Sequence, residues 1–295
     1  MSLPAKQLFV NNKEMSVSGR ITRTAKLKAE YYEWADNPQK FVADVKNSTI
    51  AADILTLLKK VTDENINRSL YSEQDSIAVL PIVTFEHWWK KQINDKTRNM
   101  IRRSQKNGVE VRVVEFTDGL VDGIKKIYDE SPIRQGKPFK HYNKDTETVK
   151  NDHISFLERS QFIGAYCEDE LIGFAKIVHD DGISHLMQII SKIGHRSKAP
   201  TNALIAKAVE LCEEQTVPYL HYGVWSTRGL GDFKKHHAFE RFDLTRYFIP
   251  LNGWGKLMLH FNMHRSLSQM LPDKYRDLMA DLRGKWNYYK VSRSL

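Results

Sequence analysis

Cysteine is nearly absent. The 295-residue chain holds two, Cys167 and Cys212, too few for a disulfide framework or a zinc-ligand set, so a reducing compartment is expected. Long apolar runs are also missing. The longest stretch without a charged residue, Gln215–Thr227, is thirteen residues and includes His221; a bilayer span needs about 20, and this one reads as a buried strand. The N-terminal MSLPAKQLFVNNKEM carries Lys6, Lys13 and Glu14 and has no apolar core of signal-peptide length. A soluble, cytoplasmic protein is therefore expected. The 9 Pro and 15 Gly are scattered, so no linker, repeat or low-complexity tract marks a boundary. No Walker loop, serine nucleophile elbow or kinase signature occurs. His260 and His264 share a helical face, but no zincin glutamate accompanies them, so no metal site is expected.

Apolar residues at 41% and charged residues at 27% are ordinary for a globular chain. The charge balance is not. Lys and Arg number 45 against 36 Asp and Glu, a net +9, which calls for an anionic partner: nucleic acid, membrane lipid or a phosphorylated small molecule. Between Glu86 and Arg112 eight Lys/Arg stand against three acids, behind Trp88 and Trp89. Such a helix suits RNA (tRNA in particular), an anionic membrane surface, or an acidic face of its own domain. DNA is not an expected partner.

Hydrophobic periodicity supplies the elements. Residues 20–70 read as mostly helical, with Ala25, Leu27, Ala29, Tyr32 and Trp34 on one stripe, a second helix opening at Pro38 after Asn37, and a strand hinted in IAADILTLLKK. SIAVLPIV, from Ser76 to Val83, is a strand placed near an edge by Pro81. Thr84 caps a helix from Phe85 to about Asn107, stopped by Gly108. Val109–Phe116 alternates as a strand, a helix runs from Thr117 to about Glu130, and another from Thr146 to Arg159. Three strands follow in meander spacing, Phe162–Cys167, Ile172–His179 and Ser184–Ile190. Then come a helix over Thr201–Gln215, a strand over Tyr219–Trp225, a helix over Gly231–His237 and a strand over Leu244–Ile249. Beyond Gly253 the chain reads as helical and basic.

This order, with the basic segment RNMIRRSQKNG at Arg98–Gly108, the phrase FIGAYCEDELIGF at Phe162–Phe174 and DFKKHHAFE at Asp232–Glu240, resembles the GNAT acyltransferase superfamily, in the branch related to the FemABX peptidyltransferases. It covers about Trp88 to Pro250. The resemblance implies an α/β (α+β) fold: a GNAT-like mixed, mostly antiparallel sheet flanked by helices. The expected layout is residues 1–85 as a helical and strand region forming a reduced GNAT-like half, 86–250 as the acyltransferase domain, and 251–295 as a C-terminal helical segment. It implies an N-acyltransferase that moves an acyl group, acetyl first, from acetyl-CoA or another acyl-CoA to an amine by direct attack. Transfer from aminoacyl-tRNA to a cell-wall or peptide amine is the alternative, and a non-catalytic module gripping RNA or anionic lipid is a third reading. One departure bears on the donor. Acetyl-CoA users of this kind carry Arg/Gln-x-x-Gly-x-Gly/Ala before the central helix, whereas here the loop is SKIGHRSKAP, Ser191–Pro200.

On physical grounds that loop is the leading donor-site candidate, because free amides and the positive dipole end at a helix N-terminus attract anions. Gly194, His195, Arg196, Ser197, Lys198, Thr201 and Asn202 are the expected donor-binding residues. The loop Pro132–Tyr142 lies where GNAT-like proteins build the acceptor pocket. Its Arg134 offers a planar fork for a carboxylate or phosphate, Phe139 and Tyr142 apolar walls, and Gln135 and His141 polar contacts. Direct attack needs a base for the ammonium proton and an acid for the leaving group. His179, His185 and His221 are base candidates, and Tyr222 is the acid that the resemblance favours, because its strand lines the donor thiol; Tyr222 and His221 are the pair taken forward. Trp225, Lys234 and Lys235 complete the substrate-side set, the lysines by likeness to the Fem Phe-Lys-x-x-Phe segment.

Overall fold

The computed structural model describes residues 8–35, 37–59, 70–226 and 229–264, with single positions at 282, 285, 286 and 289. The helical continuation expected beyond 264 lies almost wholly outside the described residues. The chain divides into two compact units, Met1–Ile77 with Phe242–Pro272 and Ala78–Arg241 with Asp273–Leu295. The sequence pattern set its divisions after residues 85 and 250. Those of the structure fall inside two strands, which pattern reading keeps whole.

In the first unit, β1 (Leu8–Val10) and β2 (Lys13–Ser18) form a hairpin whose turn residues Asn11 and Asn12 both have positive φ, as a tight primed turn requires. β3 (Thr24–Leu27) runs antiparallel to β2 and parallel to β4 (Ile54–Leu58). The intervening crossover holds α1 (Pro38–Asn47), capped by the Asn37 side chain, which accepts from the Lys40 amide, and burying Phe41 and Val45. The helical reading of 25–34 fails at β3. Ala25 and Leu27 are buried while Lys26 between them is not, a period of two rather than 3.6.

β5 (Tyr71–Pro81) leads into the second unit. The single helix expected from Phe85 is two. α2 (Phe85–His87) continues as a π turn over Trp88–Gln92, Ile93 is extended, and α3 (Asp95–Lys106) starts afresh with Asn94 accepting from the Thr97 amide at 2.9 Å. Trp88, fully buried, donates from Nε1 to the His237 carbonyl, and Arg98 donates to the carbonyls of Trp89 and Ile93 that the break exposes. After α3 the unit runs β6 (Glu110–Val114), α4 (Asp118–Tyr128), the two-residue strands β7 (Ile133–Arg134) and β8 (Lys137–Pro138), α5 (Thr146–His153), β9 (Ser160–Cys167), β10 (Glu170–Asp180), β11 (Ile183–Ser191), α6 (Pro200–Glu214), β12 (Tyr219–Val224) and α7 (Gly229–His236). β13 (Glu240–Pro250), antiparallel to β4, and α8 (Gly253–His260) return to the first unit.

The second unit's sheet has the order β5-β12-β11-β10-β9-β6. β6, β9, β10 and β11 pair antiparallel, while β11 and β12 are parallel across α6. Leu204, Ile205, Ala208 and Val209 of α6 bury against Ile163, Ile172, Ala175 and Ile177 on one face. Val121, Ile124 and Tyr128 of α4 cover Phe162, Leu171 and Phe174 on the other. At about 1.5–3 kcal/mol per fully buried large apolar side chain, this sandwich fixes where β11 and β12 can run. Among the described residues no helix is long and apolar enough to cross a membrane.

Candidate active site

β11 and β12 pair at Ser184–Leu220 and His185–His221, and there the pairing ends. The cause is visible on the other side of β11. Its register with β10 shifts between Lys176–Gln188 and Ile177–Leu186, leaving Met187 as an extra residue, and such a bulge bends a strand. Leu186–Ser191 and Tyr222–Val224 thus form the walls of a gap with the N-terminus of α6 beside it. Gly231 keeps the far wall in place: a Cβ there would stand 1.9 Å from the Ser226 carbonyl oxygen, so α7 closes against the exit of β12 only with glycine.

Alternation along β12 separates the two expected catalytic residues. Tyr222 lies with Leu220 on the α6 face, its ring edge-on to Phe239 and 4.6 Å beneath the Lys234 ammonium. His221 points to the opposite face, where its Nδ1 lies 3.0 Å from Nδ1 of His185. Burial, then the neighbouring His185 and Lys234, push the His221 imidazole down to about 3, so it is neutral and a weak acceptor for an ammonium proton. Burial raises the Tyr222 hydroxyl above its ordinary range, keeping it protonated. Lys234 is itself buried, pushed down to about 8 by desolvation, and donates to the Val224 carbonyl at 2.8 Å. It therefore braces the parted end of β12. Lys235 is exposed, 5.8 Å from the centroid of the half-buried Trp225. His179 is held by Ser184 at 2.8 Å and Gln161 at 2.9 Å.

The donor loop does not present an empty anion cradle. The Glu130 carboxylate accepts from the Ile193 amide at 2.5 Å and the Gly194 amide at 2.8 Å, and is held by Arg134 at 3.1 Å. In this conformation a pyrophosphate does not fit on those two amides. His195 lies 3.6 Å from Glu170, Lys198 donates to the Cys167 sulfur, and Arg196 and Ser197 are exposed in a short turn over Arg196–Lys198. Thr201 bonds Ser191 Oγ at 2.9 Å, and Asn202 follows Ala199, the N-cap, which offers no side-chain cap. A cavity of about 510 Å³ adjoins the loop, lined by Asp129, Glu130 and Glu170 and by Lys126, Lys192 and His195.

Arg134 is engaged by groups of the protein itself. Its fork donates to the Ser191 and Ile127 carbonyls at 2.8 and 2.7 Å and to Glu130, above the Phe139 ring. Phe139 and His141 pack on Tyr128 with centroids 5.5 and 4.7 Å away, and His141 lies 3.3 Å from Asp152. Gln135, at positive φ in the hairpin turn, and Tyr142 are exposed.

Two groups escaped sequence reading. Glu130 is one; an acid following a helix C-terminus opposes the dipole, and that mismatch was the available signal. The other lies under the sheet: Gln188 donates to the Tyr128 hydroxyl at 2.5 Å, which lies 3.0 Å from Nε2 of His153. Burial lowers His153 to about 4, so its imidazole is neutral. Lys176, brought down to about 8 by burial, donates to the carbonyls of His153 and Ser155. Nothing in the spacing announces these long-range contacts. Among the described residues no group of three His, Cys, Asp or Glu side chains is placed to hold a metal.

No protein-family model matches the chain, and no curated protein matches it. Solved structures do. The C-terminal domain (DUF2156) of a putative lysylphosphatidylglycerol synthetase from Agrobacterium fabrum is similar, with a TM-score of 0.57 and 12% identity over 88% of this chain and 87% of that one. L-PGS from Bacillus licheniformis gives 0.56 and 13% over 95% and 89%, and FemX 0.56 and 8% over 79% and 83%. At these identities the likeness speaks to fold, and the fold is GNAT-like and Fem-related.

Proposed function

We propose that the Ala78–Arg241 unit is an acyltransferase, moving an acyl group from an activated ester or thioester to an amine by direct attack in the gap between β11 and β12. The observation that carries this reading is the parting of two parallel strands after two paired positions, next to a helix N-terminus. Parted strands leave ladder donors and acceptors free to hold an extended acyl carrier on both sides. In this reading Tyr222, on the gap's far wall and kept protonated by burial, protonates the leaving group, while Lys234 holds Val224 and with it the width of the gap. The amine attacks neutral; the new C–N bond forms as the carrier's C–O or C–S bond breaks, Tyr222 gives its proton to the leaving oxygen or sulfur, and the proton shed by the attacking nitrogen returns to the Tyr222 oxygen, so that the enzyme is regenerated.

For the donor class, the Glu130 carboxylate on the Ile193 and Gly194 amides favours aminoacyl-tRNA over acyl-CoA, since a CoA pyrophosphate has to displace it. The exposed Lys91, Lys96, Arg102, Arg103 and Lys106, on and just before α3, supply cations for a tRNA backbone. One structural neighbour, a putative lysylphosphatidylglycerol synthetase, is named for a product carrying an aminoacyl group, which is in keeping with an aminoacyl donor. Acyl-CoA, the first expectation from sequence, remains the second reading, supported by the basic loop from His195 to Lys198. Thermal shift and filter binding with bulk tRNA, CoA and acetyl-CoA separate the two. Stabilisation by tRNA and not by CoA is expected; stabilisation by CoA alone reverses the donor assignment.

A further inference from the structure

α8 is apolar on both of its faces. Met258 and Leu259 bury against Ile54 and Phe248 of the first unit, and Gly255 lies so close that a Cβ would stand 1.9 Å from the Asp53 carbonyl oxygen. The opposite face carries Trp254, Leu257 and, just past the helix end, Phe261, at i, i+3 and i+7, exposed by 45, 43 and 59%. The β2–β3 turn extends this patch: Trp254 Nε1 donates to the Ile21 carbonyl at 3.2 Å, and Ile21 itself is 75% exposed. A helix apolar on its outward side is one that something else covers.

The charge around the patch identifies what. Residues 18–28 and 251–264, which form it, contain Arg20, Arg23, Lys26, Lys28 and Lys256 and no Asp or Glu. Lys26 and Lys28 are held by Glu30 and Glu14, and Arg23 lies 3.9 Å from the buried Asp53, whereas Arg20 and Lys256 are exposed. Large apolar and indole side chains set beside exposed cations, with no acid in either segment, match the boundary of an anionic bilayer, where indoles lie at headgroup level and lysine stems reach back to phosphates.

We infer that this face of the first unit docks on an anionic lipid surface. Trp254, Leu257, Phe261 and Ile21 enter the acyl boundary, and Arg20 and Lys256 contact lipid phosphates. The inference is independent of the acyl-transfer reading and of the basic α3 helix.

The test is co-sedimentation of the full chain with phosphatidylglycerol/phosphatidylcholine vesicles and with phosphatidylcholine alone. Arg20 and Lys256, two cations at the surface, predict roughly a thirtyfold preference for the anionic vesicles, falling as salt rises. Leu257→Ser/Phe261→Ser should bind at least roughly tenfold more weakly at every salt concentration, with an unchanged melting temperature because both side chains are exposed. Lys256→Glu/Arg20→Glu should lose the preference for anionic lipid while keeping the weak residual binding. Wild-type protein that does not sediment with anionic vesicles overturns the inference, as does a Leu257→Ser/Phe261→Ser variant that binds as well as wild type. A concentration-dependent dimer in velocity sedimentation that this variant abolishes would overturn it too, by assigning the face to a second copy.

Discussion

Replacing Glu130 by Gln removes one negative charge from the Ile193 and Gly194 amides and leaves Arg134 without its carboxylate partner. A phosphate approaching those amides in the wild-type protein meets that carboxylate at about 4 Å, a repulsion of about 4 kcal/mol at the effective dielectric of a protein surface. The Glu130 side chain is 23% exposed, so it can swing aside and solvent screens part of this. We take about 1.4–2.8 kcal/mol, a gain of roughly 10- to 100-fold in affinity for inorganic pyrophosphate or CoA. The same change loses charge-assisted hydrogen bonds from two amides that water then solvates, a cost of about 1–2 kcal/mol in stability. Calorimetric titration of pyrophosphate at low and high salt, alongside a melting curve, reads both. Glu130→Asp, too short to span both amides, should fall between. A folded Glu130→Gln protein that binds pyrophosphate no better than wild type would refute the claim that Glu130 keeps phosphates off these two amides.

Tyr222→Phe should lower kcat by roughly a hundredfold or more with donor KM little changed, as for a lost general acid; full turnover removes the assignment. Acid should unfold the second unit early. His153, His221 and His237 have folded values of about 4, 3 and 4 because of burial, so the unfolded chain binds nearly three more protons at a pH of about 5. Stability therefore falls as pH drops below about 6.5, by roughly 2 kcal/mol per unit at first and roughly 4 kcal/mol per unit near a pH of about 5. Calorimetry in two buffers measures the proton uptake, and less than one proton contradicts the burial. In the first unit, Arg246 holds Glu30 at 2.6 Å and Asp75 at 2.6 Å in a largely buried cluster, and Glu30 stays below its usual range because Arg246 and Lys26 outweigh its own burial. Arg246→Met should cost about 3 kcal/mol by leaving Asp75 without its cation and Glu30 with Lys26 alone; a denaturant midpoint near wild type would show the cluster to be dispensable.

Much of the second unit was legible because its determinants are local. Thr84, Thr117 and Gly108 mark helix ends by caps and turn chemistry, and the meander announces itself in alternating strands and Asp- or Glu-rich turns. The first unit was read worse. β3 is four residues long, and lysines and tyrosines near it mimic a helical stripe. The break at Ile93–Asn94 had a local signal, since Asn94 is a capping residue type followed by Asp95, but the basic residues on either side read as one continuous helix; the tertiary anchor of Trp88 on the His237 carbonyl fixes the break. The turn before the central helix was legible in sequence, but its electrostatics were not. That loop looks cationic in sequence, and the residue that changes its character, Glu130, lies more than sixty positions upstream. Likewise the parting of β11 and β12 depends on a register shift at Met187, which no residue preference encodes.

Label transfer tests the central claim most directly. Aminoacyl-tRNA carrying a radiolabelled amino acid, and in parallel radiolabelled acetyl-CoA, would be incubated with the protein and a mixture of small and peptidyl amines. The label is then followed into products that survive mild alkali, as amides do and the tRNA ester does not. The account predicts protein-dependent movement of label from aminoacyl-tRNA into an alkali-stable product, strongly reduced in Tyr222→Phe. Transfer from acetyl-CoA alone would reverse the donor assignment, and absence of transfer from both donors, with the protein folded and tRNA bound, would contradict the acyltransferase reading itself.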